Sequence, residues 1–225
     1  MLKLYSLILF SVFGMMLQNQ KTQKVLFFGD SITQAGVDPK GYISFMNEIL
    51  AKNGNSKDYE LIGSGIGGNK VYDLFFRMER DVLAKKPDIV VIWIGVNDVW
   101  HKSSFGTGTD IDKFETMYSE IISRLQKEGI KVFCCTPACI GEKTDHSNQQ
   151  DGDLNEYSKI IRKVATSKGA GIIDIRRSFT DYNLQHNKDN KRSGVLTTDG
   201  VHLNDKGNQF VAELMLSNIF IPYRK

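Results

Sequence analysis

The stretch Lys24-Val25-Leu26-Phe27-Phe28-Gly29-Asp30-Ser31-Ile32-Thr33 decides the fold. Its apolar run is short and unbroken, the pattern of a strand buried on both faces of a parallel sheet. Gly29 then lets the backbone turn sharply where a side chain would obstruct it. Ser31 is thereby set at the carboxyl end of a strand, the edge at which open α/β sheets bind ligands. A hydroxyl held there is placed to act as a nucleophile. The same residue also suits a helix cap or the closure of a turn, and Gly-Asp-Ser alone does not separate these uses.

Outward from this strand the chain alternates. Ile43, Phe45, Met46, Ile49 and Leu50 recur close to helical spacing over 41–53, with Asn53-Gly54 as a stop signal. A strand over 59–62 runs into Gly63-Ser64-Gly65-Ile66-Gly67-Gly68-Asn69, and an amphipathic helix is expected over 71–83. The strongest buried-strand signal spans 88–94 and stops at Gly95-Val96-Asn97-Asp98. A polar, glycine-containing loop is expected over 100–109, a long helix over 111–127 and a strand over 130–135. Residues 140–152 read as a polar excursion bordering the site, 154–165 as helix and 171–175 as the fifth strand. Segment 176–193 is mixed, with room for one helix and a mobile loop, and a last helix runs over about 206–219.

The order βαβαβαβαβα implies a parallel sheet between helical layers, and five strands imply a three-layer α/β/α, flavodoxin-like arrangement. Three strand ends, carrying Ser31, Gly68 and Asn97, then face one edge. The loop around His202 enters from the far end of the sequence. Gly63-x-Gly65-x-x-Gly68 also satisfies the dinucleotide fingerprint literally, but it follows the second strand instead of the first. Asp88, the acid that should close the next strand, begins it. The other use of a glycine at this turn is to present a backbone N–H to a bound oxygen.

Composition narrows the class. A chain of 225 residues, with 24% charged and 41% apolar residues and no internal repeat, suits one globular domain. The net charge of +3 owes two units to Lys3 and Lys21, in a first 23 residues that hold no acid; the remainder is close to neutral. Nucleic acid is therefore not indicated as a partner. Met1-Leu2-Lys3, an apolar run from Leu4 to Leu17 and a polar exit read as a secretory signal peptide. That run is shorter than a spanning helix needs, so no stable membrane insertion is expected after its removal. Residues 1–23 are accordingly assigned to a signal peptide and short polar linker, with a secreted or periplasmic product. An uncleaved N-terminal anchor is the alternative.

Cys134, Cys135 and Cys139 are clustered and odd in number, which does not make a disulfide framework. They read as core or strand-end residues, with a Cys135–Cys139 pair as one alternative. Zinc bound with His146 lacks enough ligands to close a tetrahedron. His101, His146 and His186 lie in polar segments and are taken as solvated or rim residues, while Trp93 follows the strand pattern into the core.

Asp199 and His202 sit three residues apart in a glycine-containing loop before the last helix. That spacing lets the carboxylate accept from one ring nitrogen and leaves the other free to take a proton from Ser31. A capping Asp199 with a solvated His202 would account for the pair alone. The joint pattern is more specific: a Ser, a Gly and an Asn at successive strand ends, then Asp-x-x-His.

Gly29-Asp30-Ser31-Ile32, Gly67-Gly68-Asn69, Gly95-Val96-Asn97-Asp98 and Asp199-Gly200-Val201-His202 stand in the order of the four blocks of the SGNH hydrolases, also called the GDSL esterase/lipase family, which the chain resembles from about residue 24 to 216. The resemblance implies an SGNH domain over 24–225. It implies Ser31 as nucleophile, His202 as general base and then acid, Asp199 as its orienting partner, and an oxyanion hole from Ser31, Gly68 and Asn97. No metal or cofactor is implied. Asn69-Lys70 departs from the Asp-Thr often found there, which bears on local hydrogen bonding and substrate choice.

Asp30 and Asp98 are expected to organise their turns by side-chain to backbone hydrogen bonds. Asp30, Asn69 and Trp100 are carried as substrate-side candidates. The expected activity is hydrolysis of short acyl esters, with acetylated carbohydrate or a small-molecule ester as substrate. A lysophospholipase or lipid esterase of the same family is one alternative, and a noncatalytic carbohydrate-binding protein is another. The sequence sets no oligomeric state.

Overall fold

A computed structural model describes residues 21–220, so of the expected signal peptide and linker only residues 21–23 lie among the described residues. Among the described residues no helix is long and apolar enough to cross a membrane. Five parallel strands, β1 (Gln23–Gly29), β2 (Tyr59–Gly65), β3 (Ile89–Trp93), β4 (Lys131–Cys135) and β5 (Gly171–Ile173), form one sheet in the order β2-β1-β3-β4-β5. This strand order is the flavodoxin-like one, in keeping with the arrangement expected from the sequence. The connecting helices are α1 (Ser31–Ala35), α2 (Tyr42–Lys52), α3 (Val71–Asp81), α4 (Val96–Phe105), α5 (Ile111–Lys127), α6 (Asp151–Ser167), α7 (Ile175–His186) and α8 (Asp205–Ile219).

The chain steps from β1 outward to β2, then reverses to β3, β4 and β5. Right-handed crossovers in opposite directions put their helices on opposite faces. Accordingly α2 packs against α8, while α3, α5 and α6 pack in succession. The Tyr42 N–H donates to Asn208 Oδ1 at 2.9 Å and ties the first pair together. Val25, Leu26, Phe27 and Phe28 are buried in β1, as are Val90, Val91 and Ile92 in β3. Burying each such side chain stabilises the fold by roughly 1.5–3 kcal/mol, which keeps the middle of the sheet, and hence its carboxyl edge, rigid.

Several boundaries differ from the sequence reading. The polar loop expected over 100–109 is in large part α4, which begins at Val96 and runs to Phe105. Its buried residues, Val96, Asn97, Asp98 and Val99, all fall in the first turn. Trp100 and His101 are half-buried and the last four residues are exposed, so no 3.6-residue apolar period betrays it. β2 continues to Gly65, and β5 stops at Ile173 because Asp174 caps α7 by accepting from the Arg177 N–H. The three cysteines are buried and free. Cys139 Sγ donates to the Gly200 carbonyl at 3.4 Å instead of meeting Cys135.

Candidate active site

Ser31 opens α1 immediately after β1, so its backbone N–H is one of those a helix start leaves without an internal partner. Asp30 caps that helix, its Oδ1 accepting from the Ile32 N–H at 3.0 Å. Gly29 has no room for a side chain: a Cβ there would stand 2.3 Å from Thr33 Oγ1 and 2.5 Å from the Trp93 carbonyl. The close packing of β1, α1 and β3 around this point therefore requires glycine.

The Gly68 backbone lies at φ +75°, a conformation that glycine adopts without strain, in the turn between β2 and α3. Asn97 lies in the first turn of α4, only 3% exposed, and its Nδ2 donates to the Asn69 carbonyl at 3.1 Å. Arg77 braces this turn from beneath. Its Nε donates to Asn69 Oδ1 at 2.7 Å, and one terminal nitrogen donates to the Gly29 and Ser64 carbonyls at 2.8 and 3.0 Å. The guanidinium also lies over the Phe28 ring, 4.5 Å from its centroid. One planar cation thus joins the ends of β1 and β2 to the turn that follows.

His202 reaches this edge from a loop between Gly194 and Asn204. Its Nε2 is 3.0 Å from Ser31 Oγ, and its Nδ1 is 2.7 Å from Asp199 Oδ2. A carboxylate facing Nδ1 assigns the proton there and leaves the Nε2 lone pair to accept from the serine hydroxyl. Asp199 Oδ1 accepts from the Val201 and His202 N–H groups, both at 2.8 Å. Partial burial pushes the Asp199 carboxyl up, but the His202 ring and these two amides outweigh it and hold the group below its ordinary value. Serine, imidazole and carboxylate thus form a chain along which a proton can leave the hydroxyl and a charged imidazole can be stabilised.

The residue that sequence reasoning missed is Glu142. It is 1% exposed and accepts from three consecutive amides, Val195, Leu196 and Thr197, at 2.8, 2.6 and 2.8 Å. Next to it the Gly141 N–H donates to the Gly200 carbonyl at 2.8 Å. Above these anchors Thr198 N–H donates to the His202 carbonyl, and Thr197 Oγ1 accepts from the Gly200 N–H. The loop carrying Asp199 and His202 therefore closes on itself around a buried carboxylate 53 or more positions earlier. An acid inside a polar stretch carries no local signal of such a role.

The substrate-side candidates divide. Asp30 is 2% exposed with its carboxyl turned to the Ile32 amide, so it is not offered to a ligand at the surface. Burial raises that carboxyl to about 7, opposed by the Ile32 hydrogen bond and assisted by nearby Asp98. Asp98 is likewise buried and raised to about 6, with Oδ1 accepting from the Val71 N–H at 3.1 Å. Both acids organise turns. Asn69 has its side-chain oxygen engaged by Arg77. Trp100 borders the site, its ring 6.3 Å from that of His202 in an edge-to-face arrangement.

Residues 27–210 match the GDSL-like Lipase/Acylhydrolase family. The chain is 61% identical to the crystal structure of the acetyl xylan esterase AlAXEase, with a TM-score of 0.87 over 88% of this chain and 100% of that one. It is 27% identical to LAE5, an alpha/beta hydrolase enzyme from the metagenome of Lake Arreo, with a TM-score of 0.78 over 87% of this chain and 94% of that one. An acetylxylan esterase of Geobacillus stearothermophilus is 26% identical over 88% of this chain and 94% of its own length. An uncharacterized lipoprotein of Bacillus subtilis is 25% identical over 85% and 87%.

Proposed function

Because the chain belongs to the GDSL-like lipase/acylhydrolase family, and is on that footing a serine ester hydrolase, we propose that Ser31, His202 and Asp199 carry its chemistry and that its substrates are acetylated carbohydrates. The observation that carries the first half is the unbroken chain from Ser31 Oγ to His202 Nε2 at 3.0 Å and from His202 Nδ1 to Asp199 at 2.7 Å. Ser31 Oγ attacks the ester carbonyl while His202 takes its proton, and Asp199 holds the imidazole in the competent tautomer. Negative charge on the carbonyl oxygen is met by the N–H groups of Ser31 and Gly68 and by the Asn97 amide, which form the oxyanion hole. His202 then protonates the departing alcohol. Water, deprotonated by the same imidazole, attacks the acyl-serine, and collapse returns the serine with release of the acid.

Support for the carbohydrate half is the acetyl xylan esterase at 61% identity and the Geobacillus stearothermophilus acetylxylan esterase at 26%. The lipoprotein relative, together with the apolar start of the chain, supports an extracellular or envelope location. Incubation with acetylated xylan, with free acetate measured, tests the function. Steady acetate release, together with covalent labelling by a fluorophosphonate probe that Ser31→Ala abolishes, is the expected result. Acetate release that survives in purified Ser31→Ala would overturn the assignment, and a wild-type protein inert on acetylated glycans but active on long-chain esters would overturn the substrate.

A further inference from the structure

A line of rings leaves the reacting centre along α4. Trp100 stands against His202, and its neighbour His101 lies 5.7 Å from it between ring centroids. His101 roofs the oxyanion turn, its Cε1 standing 3.8 Å from where a Cβ on Gly68 would be. One helical turn further on, Phe105 meets the His101 ring edge to face at 4.9 Å and 90°. Phe105 is 68% exposed.

A lone exposed Phe is ordinary on a protein surface. This one is the outer end of a run of ring contacts that starts at the imidazole facing Ser31, so a ligand held at Ser31 and extending along α4 would reach it. Among the described residues neither ring nitrogen of His101 is hydrogen-bonded. Burial, and Lys70 nearby, hold this imidazole below its ordinary value, so at neutral pH it offers one donor and one acceptor.

We propose that His101 and Phe105 form a subsite for a pyranose ring of the ester's sugar part, a step that rests on the carbohydrate reading above. A pyranose carries C–H groups on its faces and hydroxyls around its rim. Phe105 would meet a face and His101 two rim hydroxyls, which suits a surface that is half aromatic and half polar. An acyl chain would cover His101 without answering its nitrogens, a net loss when polar groups leave water. The neighbouring side chains Lys102, Ser103 and Ser104 keep the surface polar and open, unlike an acyl tunnel.

The experiment compares kcat/KM for acetylated xylo-oligosaccharides, for p-nitrophenyl acetate and for p-nitrophenyl octanoate in wild type, Phe105→Ala, Phe105→Trp and His101→Ala. Phe105 is exposed, so its truncation leaves the core intact, and a melting curve checks each variant. The expected result is that Phe105→Ala lowers the ratio of oligosaccharide to p-nitrophenyl acetate kcat/KM about 10-fold, equivalent to about 1.4 kcal/mol, chiefly through KM. His101→Ala is expected to lower the same ratio, and Phe105→Trp to keep it. An unchanged ratio in both alanine variants overturns the subsite, and so does a loss confined to the octanoate. A wild-type enzyme that releases no acetate from the oligosaccharides removes the carbohydrate reading itself, and the subsite with it, before any variant is consulted.

Discussion

Ser31, Gly68 and Asn97 stand on turns that leave the ends of β1, β2 and β3, whereas Asp199 and His202 stand on a loop that belongs to no strand. The first group is backed by the sheet, by buried Asp30 and Asp98 and by the Arg77 fork. The second hangs from Glu142 and Gly141, with hydrogen bonds inside the loop to keep its shape. Position on the sheet side comes from a rigid layer. Position on the loop side comes from a few long-range hydrogen bonds, and the 3.0 Å contact between Ser31 and His202 is where the two meet.

The largest expected effect tests whether the two sides act as one unit. Ser31→Ala and His202→Ala are each expected to lower kcat on p-nitrophenyl acetate on the order of 10⁶-fold, and the double variant to be scarcely worse. Additive losses would break the coupling. Next, Asn97→Ala on the sheet side is expected to lower kcat by about 10²- to 10³-fold, because one proposed oxyanion donor is removed while serine and imidazole remain. On the loop side, Glu142→Gln keeps the volume but turns an amide N–H₂ toward a backbone donor. Up to about 10² in kcat is expected from the displaced imidazole, with KM little changed. A shifted pH profile, with melting temperature close to wild type, would distinguish this from general loss of fold.

The smallest expected effect on activity concerns Asp30. Its carboxyl titrates near 3.8 when unfolded and at about 7 when folded. The folded state therefore holds the proton more tightly, and the stability this confers is complete below about pH 4 and is lost as pH rises toward and through 7. Asp30→Asn preserves an oxygen for the Ile32 amide and removes the titration. Denaturant melts should show the stability of this variant relative to wild type rising between pH 4 and pH 7, by an amount on the order of a few kcal/mol. An equal difference in both proteins would show that the burial of Asp30 is not felt as charge.

The same division explains what could be read from the sequence. Strand-end glycines and buried aliphatic runs are local signals, so the parallel sheet and the placing of Ser31, Gly68 and Asn97 beyond its first three strands were legible. The Asp199–His202 pairing was legible because three residues separate its members. Glu142 was not, since its partners lie 53 to 55 positions away and its own neighbourhood is merely polar. α4 escaped notice because its buried residues are bunched in one turn. Asp30 stood as a substrate-side candidate, yet its place at the buried start of α1 turns it inward.

One consequence concerns synthesis on the ribosome. The hydroxyl and the ring proposed to deprotonate it are separated by 171 positions, and domains tend to fold from the N-terminal side as they are made. A nascent chain stalled after β5 would own every sheet strand and still be chemically silent. Ester turnover would then report that translation had passed His202, so a series of arrested chains of rising length should switch on abruptly rather than by degrees.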